Sequence, residues 1–369
     1  MQPLFDNMQV GGFAVVAYIV ALVIIVFIHE MGHFLVGRWS GVNVEVFSIG
    51  FGPELWGFVD RRGTRWKLCA IPLGGYVKFE GDANAASLPD HSVAHKSTSL
   101  PGAALYKRAL IYVAGPAANF LLAIGIFAFA YAFVGIEVLQ PRVGEVVAGG
   151  AAETVGLKSG DLITAIDGTP VASFTDLQES MLLRGEEAAL LNVNRAGTAM
   201  EFRITPKIVE FDDGLGGKVR MAQIGIRSDG KSTVQYASPS QAVVKGVQHT
   251  WGICGMTMRL LGKIIQGKQN FNLLHGPVGI AKAAGDSAQL GILRFVLFIG
   301  AISVSIGLIN LFPIPMLDGG HLLFSLIEAV RGRPATQQIQ EWGFRIGLSA
   351  LLILMVVIST KDVYALFGQ

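Results

Sequence analysis

Charge is scarce in this 369-residue chain: 15% of residues are Asp, Glu, Lys or Arg, against 51% hydrophobic ones. Soluble domains carry about a quarter charged residues, so the composition argues against a water-soluble fold and for a membrane one. Cysteine is nearly absent. Cys69 and Cys254 have no C-x-x-C spacing, which argues against both a disulfide scaffold and a thiolate metal site. No dense basic run occurs and the net charge is only +2, so no nucleic-acid surface is expected. Residues 1–10 hold no Lys or Arg, so the first apolar segment is expected to stay as a span and not to be cleaved as a signal peptide.

What the chain does have is long apolar runs. Gly11 to Ile28 is uncharged and continues through His29 and Glu30 toward Val36; Ala109 to Ile136 and Phe295 to Leu317 follow, with a weaker run from Ile346 to Thr360. A helix needs about 20 apolar residues to cross the hydrocarbon. The expected fold is a polytopic α-helical membrane protein with four transmembrane helices, a small membrane-associated β-sheet and one α+β domain. The boundaries run as follows: first span 1–42, sheet 43–81, mobile loop 82–104, second span 105–136, compact domain 140–206, linker with amphipathic helices 207–292, third span 293–318, loop 319–341, fourth span 342–369. Arg38, Arg61, Arg62, Arg65 and Lys67 follow the first span, and Arg331 and Arg333 precede the fourth. Basic loops stay inside, which puts both loops in the cytoplasm and residues 137–294 outside.

Between Val44 and Phe79 apolar residues alternate around Arg62-Gly63 and Gly74-Gly75, the pattern of an antiparallel sheet with turns at those pairs. Residues 140–206 show short apolar strands around a helix starting near Phe174, with Ser173 or Thr175 as its cap. The run Gly156 to Gly168 (GLKSGDLITAIDG) resembles the PDZ family, whose members bind an extended peptide along a sheet edge.

The chemistry-bearing signal is His29-Glu30-Met31-Gly32-His33. Positions i and i+4 share one helix face, so both imidazoles can hold one cation. Glu30 projects about 100° around the axis, where a general base for the water beside that cation belongs. Three ionisable groups at the end of an apolar span are costly unless they have partners, and such groups are usually functional. Two histidines leave the site short, since catalytic zinc usually has three protein ligands. Asp318 supplies the best third ligand. It follows Asn310-Leu311-Phe312-Pro313-Ile314-Pro315-Met316-Leu317 and precedes Gly319-Gly320, and prolines break a span only where backbone is buried in protein or lines a cavity. His321 is a rival ligand, less suited because a carboxylate more often completes a two-histidine site. His91 and His95 are also four apart but sit in a Ser- and Ala-rich stretch without a base.

Taken together, H-E-x-x-H in the first span and N-x-x-P-x-P-x-L-D-G at the end of the third resemble the site-2 protease family. With the added PDZ-like segment the chain is similar to the bacterial branch named regulator of sigma-E protease. The likeness includes Gly115-Pro116-Ala117-Ala118-Asn119, Ile71 to Val77 (IPLGGYV), and Gly276 to Ile280 (GPVGI). It implies an intramembrane zinc metalloprotease with Zn2+ on His29, His33 and Asp318 and Glu30 as base. It also implies that the sheet enters the membrane and pairs with an unwound substrate strand, with Gly74, Gly75 and Tyr76 at that edge and Asn310 holding substrate backbone. Asn119 has two readings, helix packing or substrate contact. The implied setting is the bacterial inner membrane, with the PDZ domain outside and the site toward the cytoplasm. Single-span proteins such as an anti-sigma factor or signal-peptide remnants are the implied substrates, and a peptide is the implied PDZ ligand. One departure is that some relatives carry two PDZ domains and this chain has room for one. A membrane scaffold would close its metal with four ligands, and a transporter would show repeated halves with broken spans; neither pattern occurs.

Overall fold

The computed structural model describes residues 2–82, 96–212, 218–267 and 273–367. The chain forms two compact units: one from residues 1–127 and 276–359, the other from 128–275 and 360–369. Among the described residues, four helices are long and apolar enough to cross a membrane: Gly12–Trp39, Leu105–Val134, Ile292–Asn310 and Gln338–Tyr364.

In the first unit, helix α1 (Gln2–Trp39) leads into strands β1 (Val44–Val59) and β2 (Arg65–Phe79), and α2 (Leu105–Phe129) follows. The hairpin turn sits at Arg62-Gly63, as the sequence predicts. Gly74-Gly75 is not a turn: both residues belong to β2, where Ile49 faces Gly75 and Ser48 faces Tyr76. The strands are bent. Val44–Ile49 face Gly75–Phe79 on one side, while Val46–Ile49 also face Arg65–Leu68, whose other neighbours are Trp56–Val59. Gly50 and Gly52, at φ of 85° and 83°, sit in the left-handed region that lets β1 bend there. Phe34, Phe47, Val77 and Phe79 form the core between α1 and the sheet. The expected mobile loop 82–104 lies partly outside the described residues, His91 and His95 included. Residues 96–104 are packed: Leu100 and Ala103 are buried in the same core, and the Leu100 N–H donates to the Glu80 carbonyl.

In the second unit, a π turn (Ala130–Val134) ends the second span, so that Ile136 already belongs to strand β3 (Ile136–Leu139). Then come β4 (Val143–Val146), a one-turn α3 (Ala151–Thr154), β5 (Leu162–Ile166), β6 (Thr169–Pro170), α4 (Phe174–Arg184), β7 (Ala189–Arg195) and β8 (Thr198–Ile204). The four-stranded sheet has the order β6-β5-β7-β8. Ser173 caps α4 in a reciprocal box with Asp176, which settles the choice against Thr175. The core does not stop at residue 206. A hairpin, β9 (Lys207–Asp212) with β10 (Lys218–Gln223), is followed by β11 (Ile226–Ser228), which pairs with β4. Ile224 is buried with Val143, Ile163, Leu177 and Leu191. Strand β12 (Ser232–Gln235) pairs with β3, and α5 (Pro239–Ile265) completes the unit.

The chain then returns to the first unit through α6 (Pro277–Gln289), which packs on α1 through Ala17, Ala21 and Ala284. Helix α7 (Ile292–Asn310) is shorter than the expected third span to Leu317. It ends at Asn310 because Pro313 and Pro315 cannot continue a helical ladder. Helix α8 (Asp318–Arg331) restarts the chain, and α9 (Gln337–Phe367) holds the fourth span. Cys69 and Cys254 are free and buried.

Candidate metal centre

The first span meets the second at close range. At Gly32 a Cβ would lie 2.2 Å from the Ala114 carbonyl oxygen, and at Gly115 a Cβ would lie 2.2 Å from His33 Nε2. Only glycine fits at both contacts, and small residues are what let membrane helices approach this closely. That approach brings His33 Nδ1 to the Ile111 carbonyl, 2.7 Å away. A carbonyl only accepts, so Nδ1 carries the proton and the Nε2 lone pair faces inward.

Asp318 arrives from the other side. The segment Leu311–Leu317 folds back on the start of α8, and a Cβ at Gly319 would come within 2.2 Å of the Phe312 carbonyl oxygen. Met316 holds a φ of 96°, a conformation that persists only where the surrounding fold enforces it. The result is a triangle: His29 Nε2 to His33 Nε2 is 3.2 Å, His29 Nε2 to Asp318 Oδ2 is 3.2 Å, and His33 Nε2 to Asp318 Oδ1 is 3.3 Å. Among the described residues these three form the one group of His, Cys, Asp and Glu side chains close enough to hold a metal ion. In a tetrahedral zinc site with bonds of about 2.0–2.1 Å, neighbouring ligand atoms stand about 3.3 Å apart. The spacing of the imidazole pair and of each imidazole to its nearer carboxylate oxygen is of that size, and three protein ligands would leave a zinc ion's fourth position open.

Glu30 lies beside the triangle. Its carboxylate meets the Val77 backbone N–H of β2, and a Cβ at Gly75 would press to 3.1 Å from Glu30 Cγ. One cavity of about 260 Å³ is lined by His29, Glu30, His33, Gly74, Gly75, Tyr76, Asn310, Asp318 and His321. Asn119 is apart from these. It does not line the cavity; its side-chain nitrogen sits 3.2 Å from His29 Nδ1 on the far side of the ring. His321 stacks on Tyr112 with ring centroids 4.8 Å apart and stands outside the triangle. Three contributors escaped the reading of motifs: the Ile111 carbonyl, Tyr112, and the close approach at Gly32 and Gly115. A glycine-proline pair inside an otherwise unbroken span was the available signal for the last.

Known proteins resemble the chain along its length. The sequence profile described as Peptidase family M50 matches residues 17–354. A protein of Rhizobium meliloti (strain 1021), provisionally named a zinc metalloprotease, is 42% identical over 100% of both chains. A protein of Agrobacterium fabrum with the same kind of name is 46% identical over 96% of each. Metalloprotease MmpA of Caulobacter vibrioides is 35% identical over 94% of each.

Proposed function

The chain belongs to peptidase family M50, the site-2 proteases, and from that premise we propose that it hydrolyses peptide bonds in the spanning segments of bacterial inner-membrane proteins. One observation carries the reading: two imidazole nitrogens 3.2 Å apart each face a carboxylate oxygen of Asp318 at 3.2–3.3 Å, next to a second carboxylate and at the end of an apolar span. Zinc at such a site supplies Lewis acidity and lowers the pKa of water from about 15.7 toward about 7.

The chain's own residues do the rest. His33 is held in one tautomer by Ile111 and Asp318 is held in place by the folded-back Leu311–Leu317 segment, so the ligands need little rearrangement to bind. Glu30 takes a proton from the attacking water and passes it to the leaving amine. Substrate carbonyls are shielded while helical, so the substrate must open into a strand. The Gly74–Val77 stretch of β2 lines the cavity, and a strand laid along it would gain main-chain hydrogen bonds. Asn310 lines the same cavity and can hold that backbone through its amide. Leu55, Trp56 and Ile71 are exposed on the sheet, as suits a sheet immersed in lipid. The basic residues that follow the first span and precede the fourth favour the site facing the cytoplasmic side and the second unit lying outside. That unit resembles a PDZ domain, and an apolar cleft between α4 and residues 221–226 suits a peptide strand.

The test uses purified full-length protein and two single-span reporters, one bare and one with a folded outer domain. Cleavage of the bare reporter should stop with a chelator and return with zinc. The Glu30→Gln variant should lose about 10²–10⁴-fold in rate while keeping its zinc. We infer in addition that the outer unit excludes substrates with bulky outer domains; undiminished cleavage by Glu30→Gln removes the base, and equal cutting of both reporters removes that gating.

A further inference from the structure

His29 and His33 turn the same atom, Nε2, toward Asp318, but different partners hold their other nitrogens. His33 Nδ1 meets a backbone carbonyl, which leaves a single tautomer possible. His29 Nδ1 meets the carboxamide of Asn119, with Nδ2 at 3.2 Å. Asn119 is wholly buried, and its Oδ1 has no hydrogen-bond partner among the described residues. Its place is tightly defined. Its backbone carbonyl accepts the Ser303 hydroxyl at 2.9 Å, and a Cβ at Gly307 would lie 3.2 Å from its own Cβ. It is not among the residues that line the cavity.

A carboxamide donates from one end and accepts at the other, and a half-turn exchanges the ends without changing its shape. With Nδ2 toward the ring, Nδ1 is the acceptor and Nε2 carries the proton, which suits Asp318 Oδ2 at 3.2 Å. With Oδ1 toward the ring, Nδ1–H donates and the Nε2 lone pair is free to bind a cation. If Asn119 only filled space, leucine would do so without burying an unpartnered amide oxygen.

Resting on the zinc-site reading above, we propose that Asn119 is a positioning residue for His29. Its amide oxygen accepts Nδ1–H when the site takes a divalent cation, and so presents the Nε2 lone pair. Metal-bound histidines commonly rely on such a partner, and its loss typically costs 10–100-fold in metal affinity. The role complements the backbone carbonyl that serves His33.

Zinc affinity of the purified full chain, measured by competition with a chromogenic chelator, tests this with two variants. Asn119→Asp can only accept, so it should bind zinc as tightly as wild type or more tightly. Asn119→Leu, of similar size, should bind about 10–100-fold more weakly. A space-filling role predicts the reverse order, with Leu equal to wild type and the buried Asp worst, and that order overturns the proposal. Melting curves without zinc identify any variant that fails to fold. If Leu fails, the Asp variant decides alone, and a tenfold loss in it overturns the proposal. Wild type that binds no zinc would overturn the metal-site reading itself, a result distinct from either order.

Discussion

Gly115→Ala puts one methyl group where the fold has no room for it. The new Cβ would stand 2.2 Å from His33 Nε2, 2.6 Å from Cε1 and 2.8 Å from Cδ2, against ordinary contacts of 3.4 Å or more. The imidazole must therefore retreat by about 1.2 Å, while metal sites hold their ligand distances within about ±0.2 Å. The retreat removes one of three protein ligands, so a loss of at least about 100-fold in zinc affinity is expected, the upper end for disturbing a mere supporting group. At a zinc concentration 100 times the wild-type Kd, binding stabilises the wild type by about 2.7 kcal/mol, and a variant bound 100-fold more weakly gains about 0.4 kcal/mol. The helix itself is not weakened, because alanine is up to about 1 kcal/mol better than glycine in a helix interior. Unfolding of the detergent-solubilised protein with and without zinc measures the difference. A variant that keeps the full zinc-dependent gain would falsify the claim that Gly115 exists to make room for His33.

Two further outcomes follow from charges outside the centre. Asp60, in the hairpin turn, is pushed up by partial burial, but the Trp66 indole N–H and the Arg38 guanidinium outweigh that and hold it at about 2. Its unfolded value is about 3.9, so its contribution is complete above that pH and disappears as pH falls toward about 2. Asp60→Asn should flatten the acid side of the stability curve between pH 5 and 2, and an unchanged slope refutes the assignment. Arg108 and Glu328 join α2 to α8 in a two-pronged pair, with Nη1 to Oε2 at 3.0 Å. Both are nearly a fifth exposed, so Arg108→Leu alone should cost about 2–3 kcal/mol, below the 3–5 of fully buried pairs. Adding Glu328→Leu should restore most of it in denaturant melts; a double variant as unstable as the single one contradicts the pairing.

Much of the centre was legible in the sequence because helical periodicity is a local rule. The four-residue spacing of His29 and His33 is enough to put both on one face, and the adjacent Glu30 must lie beside them. The prolines at 313 and 315 likewise announced a helix ending before Asp318. Turn chemistry was a weaker guide. Arg62-Gly63 made the turn that its composition predicts, whereas Gly74-Gly75 lay inside a strand. Glycine there answers to a neighbour, since a Cβ at Gly75 would meet Val26 and Ser48 from other elements, and no local pattern reports that. The PDZ-like segment showed the same limit at its far end. Residues 222–228 close its core through β11 pairing with β4, a contact made across about eighty residues of chain.

By itself, the order of residues determined that apolar helices alternate with a sheet, and that one of them carries two imidazoles and a carboxylate at its end. It did so because spacing along a helix or strand translates directly into faces. Asp318, nearly three hundred positions later, was readable as a third ligand from its motif, but only the tertiary structure decided that it stands against both His29 and His33. The tertiary structure also decided that Asn119 and the Ile111 carbonyl hold the rear of the two rings. Those relations depend on how closely separate helices approach, and that is set by side-chain volume at crossings such as Gly32 and Gly115.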